Sequence, residues 1–253
     1  MTKNDHAPLI VQCGAPSSLS FLRVRLPWRS PWSAASDAVA RRVALIVGSR
    51  GNFCSGVALA RDLVLTAAHC VTPGADYKLV EHDARHQPIL RDVSDIAHHP
   101  QFELKALLAH RATADVALLK LAQPADLAPA RLMPSPEPVA VGDRFLVAGY
   151  GVAVRGDGRT GGRVRAATGQ QGSLQIRLLD PAAAGAGGFG ACTGDSGAPV
   201  FVLSEPLSVI GLVSWSTGPG LTSGCGGLTG VTPLARYHGW IVEQAARLGT
   251  PLQ

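Results

Sequence analysis

The sequence predicts an all-β protein, and three observations carry the expectation. Apolar residues come in short runs of strand length, such as 43–47, 53–59 and 209–213, each bounded by turn-forming residues. Glycine (29 of 253 residues) and proline (18) supply many turns, while charged residues, at 16%, favour short strands over long solvated helices. A helical period occurs in one segment: Leu234, Tyr237, Ile241, Ala245 and Leu248 recur at intervals of three and four and line one face.

In chain order, residues 1–40 hold Pro8, Pro16, Pro27 and Pro31 without a sustained period and read as an irregular extension. Residues 41–122 form a first β unit. Val43 to Val47 and Phe53 to Leu59 flank a Gly-Ser-Arg-Gly-Asn turn as a hairpin, and Leu63 to Leu65 is a third strand with His69 on the small-residue turn after it. Strands are also expected at 77–81 and 89–97 in an otherwise loop-rich stretch, and Asp115 opens the apolar run 116–121. A carboxylate at the mouth of a buried strand is costly unless it is paired.

The proline-rich residues 123–138 read as a linker. Residues 139–233 form a second β unit. Its strands are expected at 144–151, weakly at 174–179, and as a hairpin at 199–203 and 209–213 that ends on Ser214-Trp215-Ser216. The Gly- and Arg-rich residues 152–172 read as an exposed loop, and 181–190 as a flexible approach to the segment that follows. Residues 234–253 are the helix and tail.

Residues 191–200, Ala-Cys-Thr-Gly-Asp-Ser-Gly-Ala-Pro-Val, place the Ser196 hydroxyl in a turn between Gly194 and Gly197. A serine attacks a carbonyl at neutral pH only if a base takes its proton and backbone N–H groups receive the developing oxyanion. Gly-Asp-Ser-Gly alone is a modest signal. Two upstream stretches strengthen it: Leu65-Thr66-Ala67-Ala68-His69-Cys70 and Asp115-Val116-Ala117-Leu118-Leu119-Lys120-Leu121, in the order His, Asp, Ser. On these motifs, residues 43–248 resemble the chymotrypsin/trypsin-like serine endopeptidases.

The resemblance implies two six-stranded antiparallel β-barrels with the active site in the crevice between them and a C-terminal helix packed behind. It makes Ser196 the nucleophile, His69 the general base, Asp115 the residue that orients the imidazole, and the Gly194 and Ser196 N–H groups the oxyanion hole. It also pairs Cys54 with Cys70 and Cys192 with Cys225. Closing the first of these loops contributes roughly 3 kcal/mol in the chain-entropy view and anchors His69 beside it. The specificity pocket falls on Gly190, Ser214, Trp215, Ser216 and Gly230. Gly190 offers no carboxylate for a cationic substrate side chain, and Ser216, where a glycine is expected, narrows the entrance; a neutral, small or medium P1 residue follows.

In the family a freed Ile- or Val-led terminus buries its ammonium against the aspartate before the nucleophile, here Asp195. The matching region, residues 26–32, reads Leu-Pro-Trp-Arg-Ser-Pro-Trp, and Ile46-Val47-Gly48-Ser49 lies inside the first hairpin. Either Asp195 finds an internal cation or the chain matures elsewhere. A silent relative that binds a partner through the crevice and a serine esterase are the rival functions.

Other classes fit less well. The formal charge of +5 is spread along the chain and its Arg clusters lack interleaved aromatics, so no nucleic-acid partner is expected. No apolar run of about 18 residues could span a bilayer. An α/β-hydrolase needs Gly-x-Ser-x-Gly and a late histidine, whereas Ala198 stands at the second glycine. His82 and His86 have i, i+4 spacing without a third ligand, so no metal is expected, nor any cofactor. Paired cysteines point to a secreted or periplasmic protein, although the polar N-terminus shows no signal-peptide core. Cys13 is left as a free thiol, the substrate is a polypeptide, and a monomer is expected.

Overall fold

The computed structural model describes residues 33–111, 113–133, 143–152, 157–171, 177–179, 190–202, 207–218 and 225–252. Most of the expected extension with Cys13, residues 134–138 of the linker, residues 174–176 and residues 181–189 lie outside the described residues.

The first half contains β1 (Ser33–Ala34), α1 (Asp37–Ala40), β2 (Val43–Gly48), β3 (Phe53–Ala60) and β4 (Leu63–Thr66). It continues with β5 (Tyr77–His82), β6 (Pro88–His98), α2 (Leu104–Leu108), β7 (Ala117–Leu121) and β8 (Arg131–Leu132). The second half holds β9 (Arg144–Gly149), β10 (Arg165–Gln171), β11 (Arg177–Leu179), β12 (Pro199–Val202), β13 (Ser208–Ser216) and β14 (Thr229–Pro233). A 3-10 turn, Leu234–Tyr237, leads into α3 (His238–Arg247).

Strands β2, β3, β4, β7, β6 and β5 close in that order into a barrel. All its neighbours are antiparallel; the hairpin expected at 43–59 pairs Val43 with Val57 through Val47 with Phe53. The second half is an eight-stranded sheet in the order β1-β10-β11-β14-β13-β12-β9, with β8 beside β13 and β9 also paired to β10.

Barrel strands β2, β3, β4 and β7 read as largely apolar runs because both their faces are buried, whereas β5 and β6 carry charged and exposed positions. Ala44, Ile46, Val64, Ala117, Leu119 and Leu121 join one cluster. Their neighbours Val43, Leu63, Leu65 and Leu118 join another, shared with Phe201, Val209 and Leu212 of the second half and with Leu234, Ile241 and Ala245 of the C-terminal segment. Alternation along a strand sends successive side chains to opposite faces. The stripe expected on the helix is therefore the face that docks. A third cluster, including Phe145, Val147, Val200, Ile210 and Val213, lies in the second half.

Three segments depart from expectation. Within the 152–172 loop, Arg165–Gln171 forms β10 and pairs with β9 over six positions, Arg165 with Gly149 through Gln170 with Arg144. Its sequence, Arg-Ala-Ala-Thr-Gly-Gln-Gln, has no apolar alternation, so the ladder rests on backbone pairing. Ser33–Ala34, in the extension, adds to β10, and Arg131–Leu132, in the linker, runs parallel to β13. α1, at the end of the expected extension, and β14 and α2 are further elements that the hydrophobic pattern does not announce.

Phe201 has no exposed surface and sits where the barrel, the second sheet and α3 meet. Phe201→Ala is expected to cost about 3–5 kcal/mol in urea denaturation, because these three elements cannot all collapse into one cavity; a loss below about 1 kcal/mol would contradict this packing.

Candidate active site

His69 lies on the 3-10 turn Ala68–Val71 that follows β4. Ala67 and Ala68 are fully buried, which lets the turn pack tightly, and the Cys54–Cys70 disulfide ties the residue after His69 to β3. Asp115, just ahead of β7, has no exposed surface. Its Oδ1 accepts the His69 backbone N–H at 3.0 Å, and its Oδ2 accepts the ring Nδ1–H at 2.8 Å. With Nδ1 donating, Nε2 of the neutral ring is the basic nitrogen.

Asp115 Oδ2 also accepts the Ser214 hydroxyl at 2.5 Å. Val213 pairs with Val231 and Trp215 with Gly230, so Ser214 is the unmatched residue of a bulge in β13. A bulge re-aims a side chain. Here it turns the Ser214 hydroxyl, expected to wall the substrate pocket, toward the buried carboxylate.

The Ser196 turn is held from both halves of the molecule. The Ser55 N–H donates to the Ser196 carbonyl at 2.8 Å, and the Gly197 N–H to the Val213 carbonyl at 2.7 Å. Ser55 Oγ donates to the Gly194 carbonyl at 2.8 Å and accepts the Tyr150 N–H at 2.9 Å. Thr66 Oγ1 donates to the Ser55 carbonyl at 2.7 Å. Gly197, at φ +76°, leaves no room for a Cβ against Thr66 and the Ala67 backbone. The serine turn thus abuts the chain two residues before His69. Gly194, at φ +92°, lies under the Phe53 ring, which a Cβ would strike. Left-handed backbone and close approach both require glycine there.

Asp195, between Gly194 and Ser196, has no exposed surface. Its Oδ1 accepts the Gly151 N–H at 2.8 Å and its Oδ2 the Cys192 N–H at 3.0 Å. Burial pushes its carboxyl up from 3.8 to about 6, against the pull of these two N–H groups and of the Arg165 guanidinium. Cys192 is bonded to Cys225, so a disulfide flanks this turn as well.

Among the expected pocket residues, Gly190 is half-buried at φ +84°, and its successor Ala191 donates its N–H to Thr229 Oγ1 at 3.4 Å. Trp215 and Ser216 pair with Gly230 and Thr229 across β13 and β14. The Trp215 indole lies against Gly230, where a Cβ would collide with it, and stacks on His110 at 4.7 Å with an 18° interplanar angle.

The other histidines do different work. His99 is buried, its ring edge-on to Tyr237 at 5.0 Å, and burial lowers its pKa; His98 Nε2 bonds the Val71 carbonyl. His82 and His86 are exposed. Ligand atoms of Cys54, His69 and Cys70 cluster within 4.8 Å, but both sulfurs are committed to the disulfide and cannot act as thiolates.

A family model, Trypsin, matches residues 33–241, from β1 into α3. The chain belongs to the trypsin family. It is 31% identical to kallikrein-15 of Saguinus oedipus over 87% of this chain and 89% of that protein. With the vitellin-degrading protease of Bombyx mori it shares 30% identity over 77% of each. Human heparin binding protein superposes with a TM-score of 0.67 at 22% identity, over 88% of this chain and 99% of that one. Neuropsin from mouse brain, a serine protease, superposes at 0.64 and 20% identity, over 84% of this chain and 98% of that one. These two structural likenesses concern the fold.

Sequence reasoning passed over Ser55, Thr66 and Arg165. A serine between Cys54 and Gly56, in a strand otherwise apolar and buried, was the available signal for Ser55. Arg165 carried none, being one of several arginines in a glycine-rich stretch.

The raised Asp195 pKa fixes the sign of a pH effect. Asp195 holds its proton more tightly folded than unfolded, so its contribution is fully present below the unfolded value and is lost as pH rises through about 6. Relative to Asp195→Asn, the wild-type protein should lose about 3 kcal/mol of stability between about pH 3 and pH 7 in urea denaturation. Parallel pH profiles for the two proteins would contradict this assignment.

Proposed function

We propose that the protein is a serine endopeptidase that cleaves polypeptides through an acyl-enzyme on Ser196. The observation that carries the reading is the fully buried Asp115 carboxylate, bonded to both the backbone and Nδ1 of His69 and to Ser214. A carboxylate so placed selects the tautomer whose Nε2 takes the Ser196 proton during attack and returns it to the leaving amine. The carbonyl oxygen, as it becomes an oxyanion, is received by the Gly194 and Ser196 N–H groups. Water then repeats the sequence on the ester.

Residues 41–122 serve as the first barrel and carry His69 and Asp115; residues 139–233 serve as the second and carry Ser196. The β9–β10 pairing, which joins the two arms of the second sheet, supports the barrel reading. Residues 123–138 connect the two, and residues 234–253 brace them from behind. The protein acts as a monomer without cofactor or metal, and its two disulfides support a secreted location.

Wild-type protein and Ser196→Ala, each incubated with a fluorophosphonate probe and with casein, test this reading. Labelling and cleavage should both occur in the wild type and both vanish in the variant. Labelling without cleavage would point to an esterase, and no labelling of folded, oxidised protein to a binding protein.

Gly190 at the expected pocket floor brings no carboxylate, and Ser216 is assigned to its rim. A buried substrate cation would go unpaired, at a cost of several kcal/mol. Peptides with Ala, Val or Leu at P1 should therefore be turned over faster than their Arg analogues; the reverse order in kcat/KM would overturn the specificity assignment.

A further inference from the structure

The buried Asp195 turn is met by a short strap of chain, residues 150–152, that follows β9. The strap presents its N–H groups to the turn: Gly151 N–H to Asp195 Oδ1 at 2.8 Å, and Val152 N–H to the Thr193 carbonyl at 2.9 Å. The carbonyls of the same two residues both accept from Arg165 Nη2, at 2.6 Å for Gly151 and 2.9 Å for Val152. Arg165 is the first residue of β10, and its Cα is paired with Gly149 at the end of β9. Cation, strap and turn therefore form one connected unit.

The second of the strap contacts bears on chemistry. In a planar trans peptide the C=O and N–H point in opposite directions. The Thr193 carbonyl and the Gly194 N–H belong to one peptide unit. Fixing that carbonyl on Val152 aims the Gly194 N–H away from the strap and so sets the direction of one of the two proposed oxyanion donors. The first contact matters for charge. Gly149 and Gly151 lie so close to the Asp195 carboxylate that a Cβ at either would overlap it, and the Arg165 charge acts favourably on that carboxylate.

From this geometry we infer that Arg165 is a positioning residue for the oxyanion pocket, the built-in cation that holds the Asp195 turn in its working shape without a freed chain terminus. The inference rests on the serine hydrolase reading of Ser196. Its consequence is that catalysis does not wait for cleavage near residues 26–32.

The test uses the full chain, its N-terminus checked by intact mass, with Arg165→Gln and Arg165→Lys. Kinetics on a p-nitrophenyl ester and on a peptide substrate are combined with a titration of the Asp195 side-chain carboxyl by ¹³C NMR. Uncleaved wild-type protein should be active. Arg165→Gln should lower kcat by about 10²-fold, the scale of a misaimed catalytic group, with KM changed much less. Arg165→Lys keeps the charge but not the planar fork, and should fall between the two. The Asp195 midpoint should rise in Arg165→Gln, because a charge favouring the carboxylate has gone.

Equal kcat in Arg165→Gln and wild type, or activity that emerges only after chain cleavage, would overturn the inference. So would an Asp195 midpoint that does not move in either variant. If Ser196 were inert in every form while the Asp195 midpoint still rose, the hydrolase reading would fail and the coupling of Arg165 to the turn would stand.

Discussion

A carboxylate with no access to water has to be surrounded by donors, and in this protein that requirement organises the segment on which the chemistry depends. Asp195 lies between Gly194 and Ser196, so whatever satisfies its oxygens also fixes the peptides on either side. The donors come from Cys192 within the turn and from Gly151 on the strap after β9, while Ser55 of the first barrel bonds the Gly194 and Ser196 carbonyls. Unpaired, a buried charge costs several kcal/mol. The turn is therefore stable only when the second sheet and the first barrel are both in place. Folding and assembly of the site are the same event.

Asp115 solves the same problem with a different set of partners. Three donors converge on it, two from His69 and one from Ser214. Two of the three arise from local backbone events: the 3-10 turn that presents the His69 N–H, and the bulge that releases Ser214 from the β13 ladder. A regular strand at 213–215 would leave Ser214 on the pleat with its hydroxyl aimed elsewhere. The irregularity in the sheet is what allows a residue of the second half to complete a carboxylate site in the first.

Strands β2, β3, β4 and β7 of the first barrel are legible in the sequence because they are buried on both faces, and double burial writes itself as apolar runs such as Val-Ala-Leu-Ile-Val. The triad motifs are legible for another reason: small residues around His69 and glycines around Ser196 are demanded by close backbone approach, which restricts residue type. Both disulfides join the expected cysteines. The second sheet is less legible. β10 and β14 are rich in Gly, Thr and Ala, and their pairing rests on backbone groups that carry no sequence signal. Ser55 and Arg165 escaped assignment, and Ser214 was assigned to the pocket and not to Asp115, because their contacts lie in hydrogen bonds to residues 99 to 139 positions away, or to a strap whose course only the fold reveals.

β13 binds these features into one mechanical element. Its Val213 carbonyl receives the Gly197 N–H beside the serine, its Ser214 hydroxyl bonds Asp115, and its Trp215 ring covers Gly230 and stacks on His110. Three successive residues thus touch the Ser196 turn, the carboxylate behind His69, and the expected recognition surface. Rigid elements hold a site more closely than loops do, because neighbouring ladder bonds resist the displacement of any one residue. The coupling also sets a limit. A substituent that enlarged residue 230 would press on Trp215, and a shift of Trp215 would be felt one residue away at Ser214 and two away at Val213. The groups proposed for recognition and for catalysis are therefore coupled along this strand.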